Sequence, residues 1–451
     1  MKKGIGKVFA SLTLALSFGL TGLACTPPDS SPQFQEPALS GIKNVILMIG
    51  DGMGPNHVKA GEIYKGSQLA IHSMPYQAYS LTSSASNEVT DSAAGATALA
   101  TGVRTNNGYV GVDPQGNELT TIMDIALQAG KRTGVITTDK MSGATPMAFA
   151  AHCEDRHDSA ALLNSAVESG INLFVSTSND VEGDFQYKGY RNLPDVADIS
   201  EATGDYVLGT YDILATAPSG SAEIGNVALD RVVSESIEYL SKDKDGFVLM
   251  AEGARIDKHA EQNNLERMIE EMIAFDNAVQ TALDWAKDRT DTIVIVTADH
   301  ETGGLTLAEG ITKENMASKH SWSTHGHTAT NVYCNVYAED FDFLRFSSQD
   351  KATELKNADI FTIMKAFVQG YQQASLTVKQ NSALGGEVTV DKEAFCFGEK
   401  IKINVKTNNG YRLTSFKIND NERINELKDG SLEYAVDASK VVIKVLFVKD
   451  M

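Results

Sequence analysis

The sequence predicts an α/β fold with a large, mostly parallel central sheet flanked by helices, followed by a small C-terminal all-β domain. Short apolar, β-branched runs recur at 45–50, 135–138, 247–251 and 293–298, and helical patterns lie between them. Runs without polar alternation are typical of parallel strands that are buried on both faces. Near residue 374 the pattern changes to apolar/polar alternation, which is typical of strands with one exposed face.

The first 25 residues are expected to be a secretory signal and not part of the fold. Lysines precede an apolar stretch over 8–23, and Cys25 follows it. A cysteine at that place is typical of bacterial lipoprotein signals. We therefore expect an exported protein that is lipidated at Cys25 and resides in the cell envelope, at the membrane surface or in the periplasm. Plain secretion with cleavage near Ala24 is the alternative. Residues 26–40 are polar and Pro-rich, which predicts a flexible linker.

Residues 41–373 are expected to form the main domain, because strand and helix patterns alternate throughout them. An Ala-rich stretch over 92–101 is followed by a glycine, which predicts a helix with a glycine C-cap. Apolar residues at helical spacing predict further helices over 265–288 and 356–372. The Gly-, Asp- and Ser-rich segment 176–230 is weakly periodic, and we interpret it as an irregular insertion near the functional site of the main domain, which is described below.

Residues 374–451 are expected to form the separate β domain, in which turn residues separate the alternating runs. Its short glycine-containing turn stretches resemble the small β repeats appended to many bacterial surface proteins. The β domain contains none of the candidate site residues described below, which all lie in the main domain. We therefore expect it to serve as a spacer or an interaction module.

The net charge of −20 over 451 residues limits the partners of the chain. Nucleic acid binding is not expected, because a phosphate backbone requires patches of Lys and Arg. A small anion would be repelled by the global field and would need local positive charge from metal ions, arginine or helix N-termini. Beyond the signal, no run approaches the ~18 apolar residues of a membrane span, so membrane contact is expected only through the lipid anchor.

Polar side chains follow the predicted strands where each strand ends. Asp51 follows the first run, Glu252 follows the third with Asp257 shortly after it, and Asp299 and His300 follow the fourth. The carboxyl ends of neighbouring parallel strands meet at one edge of a sheet, where ligands bind. So many carboxylates share a small site only when cations neutralise them. The sequence therefore predicts a site for several metal ions.

Ser92 is the candidate nucleophile of this site. It follows Thr90 and Asp91 at the start of the predicted Ala-rich helix, where the helix dipole favours a negatively charged oxygen. The loop after the second run adds Thr145, whose oxygen is a ligand type that hard cations prefer.

Several motifs of this chain, taken in order, resemble those of the bacterial and animal alkaline phosphatases over roughly residues 41–372. They are Asp51-Gly-Met-Gly, Thr90-Asp-Ser-Ala-Ala-Gly-Ala-Thr, Ala144-Thr-Pro146, His152 with Arg156, Glu252-Gly-Ala-Arg-Ile-Asp257, Thr297-Ala-Asp-His-Glu-Thr-Gly303 and Gly326-His-Thr328. The resemblance implies an alkaline phosphatase-like catalytic domain over 41–373. It also implies a metal-dependent phosphomonoesterase activity, with small phosphate monoesters as substrates. Family members are often homodimers, so a homodimer is a further expectation.

The resemblance implies two zinc ions beside the nucleophile. Asp51, Asp299 and His300 would hold the first zinc next to Ser92. The serine would itself bind this ion and form a phosphoserine intermediate. Two zinc ions about 4 Å apart can hold the attacking and leaving oxygens of an in-line displacement.

The second zinc, beside the leaving group, would be held by Asp257 and His327. The family has a histidine one helical turn after this aspartate, and the chain has Glu261 there instead. Glutamate also binds zinc, so we expect Glu261 to complete the site. Its added negative charge would weaken the Lewis acidity of the ion and favour other divalent metals. A local shift that brings in His259 is the alternative, and His325 lies close enough to His327 in the chain to compete with it.

A third and harder cation, Mg²⁺, would take oxygens from Asp51, Thr145 and Glu252. Two residues before Thr145, well-known members carry Asp or His, and this chain carries Gly143. Because a side chain that would hold water is lost, the occupancy of this Mg²⁺ site is left open.

The substrate phosphate would be bound by Arg156, whose planar guanidinium can contact two oxygens at once. Asp91 would help to place Arg156. Lys258 would contact phosphate through water, with a purely solvated role as an equal alternative. We expect His152 to support the site and not to bind metal directly.

Two other kinds of function compete with a phosphomonoesterase. A phosphodiesterase or sulfatase of the same superfamily is disfavoured, since Arg156 suits a dianionic monoester and the residues after Ser92 lack the sulfatase pattern. A degenerate member that only binds phosphate or metal at the cell surface is supported by Glu261 alone.

Overall fold

The computed structural model describes residues 43–177, 185–186, 188–338, 341, 346, 353–369, 373–391, 395–396, 400–436 and 440–450. The expected signal with Cys25 and the expected linker lie outside these residues. Within the described ranges, no helix combines the length and the apolar character that crossing a membrane would require.

The main part of the chain is built on one large sheet, which confirms the predicted α/β class. Its strands, labelled β1 to β10 in chain order, are Asn44–Gly50, Tyr76–Leu81, Arg132–Thr137, Leu173–Ser176, Arg191–Leu193, Val207–Thr210, Phe247–Gly253, Thr292–Thr297, Val332–Tyr337 and Glu354–Lys356. Their order across the sheet is β10-β2-β9-β8-β1-β7-β3-β4-β6-β5. Neighbours pair in parallel except β9, which is antiparallel to both β8 and β2.

The central strands are buried on both faces, which explains their continuous hydrophobicity. Along β1, Val45, Leu47 and Ile49 pack into one core cluster, while Ile46 and Met48 pack into another. Successive side chains of a strand point to opposite faces, so the two clusters lie on the two sides of the sheet.

Helices connect the strands and cover both cores. Their bounds are Pro55–Lys65 (α1), Ala70–Ser73 (α2), Ser92–Thr101 (α3), Ile122–Gln128 (α4), Ala144–Ala148 (α5), Ser159–Glu168 (α6), Asp198–Glu201 (α7), Leu229–Leu240 (α8), Arg255–Glu261 (α9), Leu265–Ala286 (α10) and Asn357–Val368 (α11), with 3-10 turns at Met316–Ser318 and Ile424–Glu426. The Ala-rich helix has the predicted bounds. It ends at Gly102, whose φ of 74° is the left-handed conformation of a glycine C-cap.

The interpretation of 176–230 as an irregular insertion is wrong for its described part. This part contains β5, α7 and β6, and the two strands extend the central sheet on one side. Strands of three and four residues are too short to show a periodic pattern in the sequence. Two-residue strands also pair outside the large sheet: Ala222–Glu223 with Asn226–Val227, Glu301–Thr302 with His327–Thr328, and Thr306–Leu307 with His320–Ser321.

The C-terminal strands form separate sheets, as the predicted fold class required. They are Gln373–Gln380 (β11), Gly386–Val390 (β12), Phe395–Cys396 (β13), Lys400–Thr407 (β14), Tyr411–Ile418 (β15), Asn421–Glu422 (β16), Ser431–Ala435 (β17) and Lys440–Lys449 (β18). The sheet orders are β13-β11-β18-β15-β16 and β12-β14-β17. Their buried residues form a core cluster of their own. The domain boundary at 373/374 and the resemblance to surface-protein repeats stay predictions.

Candidate active site

Ser92 is held at the first residue of α3. The side chain of Asp91 caps this helix, because its Oδ1 accepts a hydrogen bond of 3.0 Å from the backbone N–H of Ala94. A β-carbon on Gly95 would lie only 3.0 Å from the carbonyl oxygen of Asp299. The glycine therefore lets the first turn of the helix approach the chain just beyond β8 closely. The serine side chain is placed at the carboxyl edge of the sheet in this way.

One imidazole nitrogen lies at the centre of the side-chain cluster at this edge. His300 Nε2 is 3.1 Å from Ser92 Oγ. The same nitrogen is 3.2 Å from Asp299 Oδ2 and 3.4 Å from Asp51 Oδ1. Neither of these buried carboxylate oxygens makes a hydrogen bond within the described part of the chain. The ligand atoms of Asp51, Asp299 and His300 lie within 4.8 Å of one another, a grouping that could hold a metal ion.

Asp299 is fixed by backbone groups on its other oxygen. Its Oδ1 accepts hydrogen bonds from the backbone N–H groups of Gly52, at 3.2 Å, and His300, at 3.0 Å. Gly52 has a φ of 69°, and a β-carbon there would lie 2.9 Å from the Cα of Asp257. Only glycine allows the loop after β1 to pass this close to the second group of ligands.

The second group adjoins the first. Asp257 Oδ1 lies 3.7 Å from His327 Nε2, and ligand atoms of these two residues and of His300 lie within 4.8 Å of one another. His327 Nδ1 is 2.9 Å from the carbonyl oxygen of Thr90. Because a carbonyl only accepts, Nδ1 of the neutral ring carries the proton and Nε2 offers its lone pair to a cation.

A third set of oxygens lies at the ends of β1, β3 and β7. Glu252 is buried and accepts a hydrogen bond of 2.5 Å from Thr137 Oγ1. Glu252 pairs with Ile49 of the neighbouring strand β1, which is the second-last residue of that strand. Thr145 is buried in the first turn of α5, and among the described residues its Oγ1 has no hydrogen-bond partner.

The cluster carries more negative charge than a buried site tolerates by itself. Burial raises the pKa of Asp51 well above its usual value, and the charges of Asp299 and Asp257 raise it further. Burial also raises the pKa of Glu252 to about 8 and lowers the pKa of His300 to about 3. The imidazole is therefore neutral, which is its metal-binding form. Bound cations would compensate the carboxylates, so these residues fit the metal ions that the sequence analysis expected.

Asp91 organises the side of the site that carries Arg156. Its Oδ2 accepts hydrogen bonds from Arg156 Nη1 at 3.0 Å and from the backbone N–H of Gly108 at 2.9 Å. The backbone N–H of Arg156 donates to the carbonyl oxygen of Gly108 over 2.9 Å. One carboxylate therefore caps the helix of Ser92 and positions the guanidinium beside it.

Glu261 lies at the rim of the second ligand group. It is the last residue of α9, it is exposed, and in the described residues it is not part of the compact groups of ligand atoms. Partial burial and the charge of Asp257 raise its pKa, and the charge of His327 lowers it. His259 is directed elsewhere, since its Nε2 is 3.9 Å from Glu271 Oε1 of α10.

Other candidates have structural partners. Lys258 forms an ion pair with Asp139, a residue that sequence reasoning missed. His152 Nδ1 is 2.7 Å from the carbonyl oxygen of Gly111, and His325 Nδ1 is 2.8 Å from that of Glu261. Asp139 lies two residues beyond the end of β3, where its position depends on the path of a loop, and no local pattern signals its pairing with Lys258.

Thr302 is a second residue that sequence reasoning missed. Its Oγ1 donates a hydrogen bond of 2.5 Å to Asp257 Oδ1 and lies 3.2 Å from His300 Nδ1. It therefore links the two ligand groups. The sequence did offer a signal for Thr302, because it lies two residues after His300 in a run that is already rich in metal-binding side chains.

A mostly parallel sheet whose carboxyl edge gathers carboxylates and imidazoles around a helix-terminal serine fits a hydrolase that uses bound cations. The family model described as Alkaline phosphatase matches residues 42–178 and 183–394. The chain therefore belongs to the alkaline phosphatase family, which identifies it as a phosphatase or a related hydrolase of that superfamily.

Individual relatives agree with this assignment. Alkaline phosphatase 3 of Bacillus subtilis is 29% identical over 335 residues, which cover 69% of this chain and 72% of the relative. Alkaline phosphatase of Escherichia coli is 32% identical over 329 residues, covering 57% and 70%. The solved alkaline phosphatase of the Antarctic bacterium TAB5 is 29% identical with a TM-score of 0.63, covering 74% of this chain and 99% of that chain.

Proposed function

We propose that the protein is a metal-dependent phosphomonoesterase that hydrolyses small phosphate monoesters to an alcohol and inorganic phosphate. The observation that carries this proposal is the position of Ser92 Oγ, 3.1 Å from His300 Nε2, where the Asp51 and Asp299 carboxylates also meet. Arg156, held on the aspartate that precedes the serine, supplies the fork that suits a dianionic phosphate.

The donor sets support two zinc ions and one Mg²⁺. The residues that would hold them are Asp51, Asp299, His300 and Ser92 for the first zinc, Asp257, Glu261 and His327 for the second, and Asp51, Thr145 and Glu252 for Mg²⁺. When bound, the cations would neutralise the carboxylates, favour the alkoxide of the serine and stabilise charge on the phosphoryl oxygens. A variant of the TAB5 enzyme has been solved with Mg bound in its M3 site, which supports a magnesium ion in this family.

Ser92 would attack the phosphorus atom of the ester. Its Oγ gives up its proton to water and forms a bond to phosphorus while the bond from phosphorus to the ester oxygen breaks, and the alcohol departs with a proton from water. A water molecule then attacks the phosphoserine, the bond from Ser92 Oγ to phosphorus breaks, Ser92 Oγ regains a proton from that water, and inorganic phosphate is released. During both steps Arg156 and the N-terminus of α3 hold the phosphate oxygens in place.

The test compares p-nitrophenyl phosphate with bis-p-nitrophenyl phosphate for the protein and for Ser92→Ala. We expect monoester turnover that falls at least about a thousandfold in the variant, because the nucleophile is lost. Zinc and magnesium counted by elemental analysis in both proteins would show whether the variant stays loaded. A preference for the diester would replace the proposal with a phosphodiesterase.

A second candidate is a surface protein that binds phosphate or metal without turnover, and the exposed position of Glu261 favours it. Calorimetric titration with inorganic phosphate distinguishes the two candidates. A pure binding protein would bind phosphate equally well with Ser92→Ala and would show no turnover when fully loaded with metal.

We also propose that the protein is exported and attached to the cell envelope through a lipid on Cys25. Fractionation of cells that produce the protein or its Cys25→Ala variant tests this, since the variant should move from the membrane fraction to the soluble fraction. Sedimentation velocity tests the homodimer that the family resemblance implies.

A further inference from the structure

Glu301 is a buried carboxylate that lies next to the ligand residues but is not one of them. It directly follows His300 in the chain and is 3% exposed, and in the described ranges it is not part of the compact groups of ligand atoms. Its Oε2 accepts hydrogen bonds from the Thr328 hydroxyl and from the backbone N–H of Gly304, and its Oε1 accepts one from the backbone N–H of Leu305. The carboxylate therefore holds neighbouring parts of the protein together.

The contact between Glu301 and Thr328 ties down the strand that carries His327. Glu301 pairs with Thr328, and Thr302 pairs with His327, in an antiparallel ladder of two residues on each side. A two-stranded ladder is at best marginally stable by itself. A hydrogen bond to an ionised carboxylate is stronger than one between neutral groups, so the bond from Thr328 to Glu301 strengthens the ladder directly beside the ligand.

Glu301 also contacts the loop that follows β1 and begins with Asp51. A β-carbon on Gly54 would lie 2.1 Å from Glu301 Cγ, so only glycine lets this loop pass so close to the glutamate. His57 Nδ1 is 3.9 Å from Glu301 Oε1, and it accepts a hydrogen bond of 3.1 Å from the backbone N–H of Gly54. Burial lowers the pKa of His57 to about 4, so this ring is neutral and forms no ion pair with the carboxylate.

The two ligand groups do not depend equally on Glu301. Asp51 and Asp299 closely follow the central strands β1 and β8, and each of these strands pairs with two neighbours in the large sheet. His327 instead belongs to a two-residue strand outside that sheet. Loss of the carboxylate should therefore loosen His327 more than it loosens the ligands of the first group.

We infer that Glu301 is a positioning residue that acts through Thr328 to hold His327 where its Nε2 lies 3.7 Å from Asp257 Oδ1. In this position the two residues can share the second metal ion. The inference rests on the proposed function, because it requires a metal ion in the second ligand group. It predicts a selective effect: without the hydrogen bond from Thr328, the second ion is bound more weakly while the first group keeps its ion.

The experiment is a stepwise zinc titration of the metal-free protein in competition with a fluorescent chelator. His327→Ala lacks a ligand of the second group, so the binding step that it weakens is assigned to the second ion. Glu301→Gln keeps the shape of the side chain, but its amide nitrogen cannot accept a hydrogen bond. We expect Glu301→Gln to weaken the second step by about 10- to 100-fold, as losses of such supporting hydrogen bonds do, and to leave the first step close to that of the parent protein.

Thr328 provides a matched pair of variants at the other end of the same hydrogen bond. Thr328→Val removes the hydroxyl at nearly constant size, so it should also weaken the second step. Thr328→Ser keeps the hydroxyl and should retain the affinity of the parent protein for both ions. Because the two changes act on one bond, Glu301→Gln combined with Thr328→Val should weaken the second step little more than either change alone.

Three outcomes overturn the inference. Equal weakening of both steps in Glu301→Gln would give Glu301 a general structural role. Affinity for the second ion that is the same in Thr328→Val as in the parent protein would exclude the contact with Thr328, and this result stands even if Glu301→Gln fails to fold. A parent protein that binds no second zinc ion overturns the inference as well. The titration does not use turnover, so absence of p-nitrophenyl phosphate hydrolysis by the metal-loaded parent protein overturns the proposed function and not the inference.

Discussion

His327 stacks on His300, with ring centroids 3.5 Å apart and an angle of 18° between the ring planes. The two rings belong to neighbouring ligand groups, so a change in the orientation of one ring moves a ligand of the other group. Two imidazolium cations would repel each other at this distance. Burial and, after it, the charge of His327 keep the pKa of His300 low, so His300 is held in the neutral form that can bind a metal ion.

Thr302 is expected to control the tautomer of His300. Its hydroxyl has one hydrogen, which it donates to Asp257, so His300 Nδ1 must be the donor in the 3.2 Å contact with Thr302 Oγ1. This leaves the lone pair on His300 Nε2 for a cation. Thr302→Val should weaken metal affinity by about 10- to 100-fold, as losses of such supporting hydrogen bonds do.

Competition with a fluorescent zinc chelator measures this effect without relying on activity. Thr302→Ser keeps the hydroxyl and is the matched control, which should retain affinity close to that of the parent protein. Equal metal affinity in the Val and Ser variants would mean that Thr302 has no part in holding the ligands.

The ion pair of Lys258 with Asp139 should limit the attraction of the site for phosphate. Lys258 is partly exposed and its charge is neutralised by the carboxylate. Asp139→Asn removes this neutralisation, so inorganic phosphate should inhibit about two- to fivefold more strongly. The inhibition constant measured at two salt concentrations checks this, since the gain should shrink at high salt. Asp139→Asn combined with Lys258→Gln is the control, and stronger inhibition that persists there would assign the effect to another group.

The layout of the fold could be predicted from the sequence because its signals are local. Runs such as 45–50 are apolar at every position, since alternate side chains enter the cores on both faces of the sheet. The strands at 191–193 and 207–210 were not predicted, because runs of three or four residues are too short to show a periodic hydrophobic pattern. The strand at 207–210 takes its place by pairing with β4, and the strand at 191–193 by pairing in turn with 207–210, and no local pattern signals either pairing.

The candidate site could be predicted in its chemistry but not in its supporting contacts. Asp51 and Asp299 directly follow predicted strands. A metal-binding side chain at the carboxyl end of a parallel strand indicates a functional site. The pairing of Lys258 with Asp139 and the direction of His259 toward Glu271 depend on how loops and helices approach each other. Spacing within one helix cannot show which neighbouring element a side chain faces.

Glu271 should make the protein less stable as the pH rises. Burial raises its pKa from the usual 4.5 to about 7, so the folded state keeps a proton that the unfolded state has released between these values. Stability therefore falls as the pH increases across this window. Glu271→Gln removes the titration and should stabilise the protein at pH 8, relative to pH 5, by up to about 3 kcal/mol.

Urea unfolding at pH 5 and pH 8 measures this difference in the free energy of unfolding. Glu266→Gln changes an exposed glutamate of the same helix and serves as the control, with the same effect expected at both pH values. A gain for Glu271→Gln that is equal at pH 5 and pH 8 would contradict the assigned pKa.

Glu261 should make the second metal site hold zinc less tightly than a histidine would. With Asp257 and His327 it would form a set of two carboxylates and one imidazole, which is harder and more negatively charged than a set with two imidazoles. Glu261→His should therefore retain the second zinc at about tenfold lower free zinc, and Mn²⁺ should displace that zinc less easily.

Dialysis against zinc buffers, followed by elemental analysis, measures the bound metal directly. Glu266→His adds an imidazole at an exposed position of the next helix, and it should leave zinc retention unchanged. Equal retention by the parent protein and Glu261→His would remove Glu261 from the ligand set.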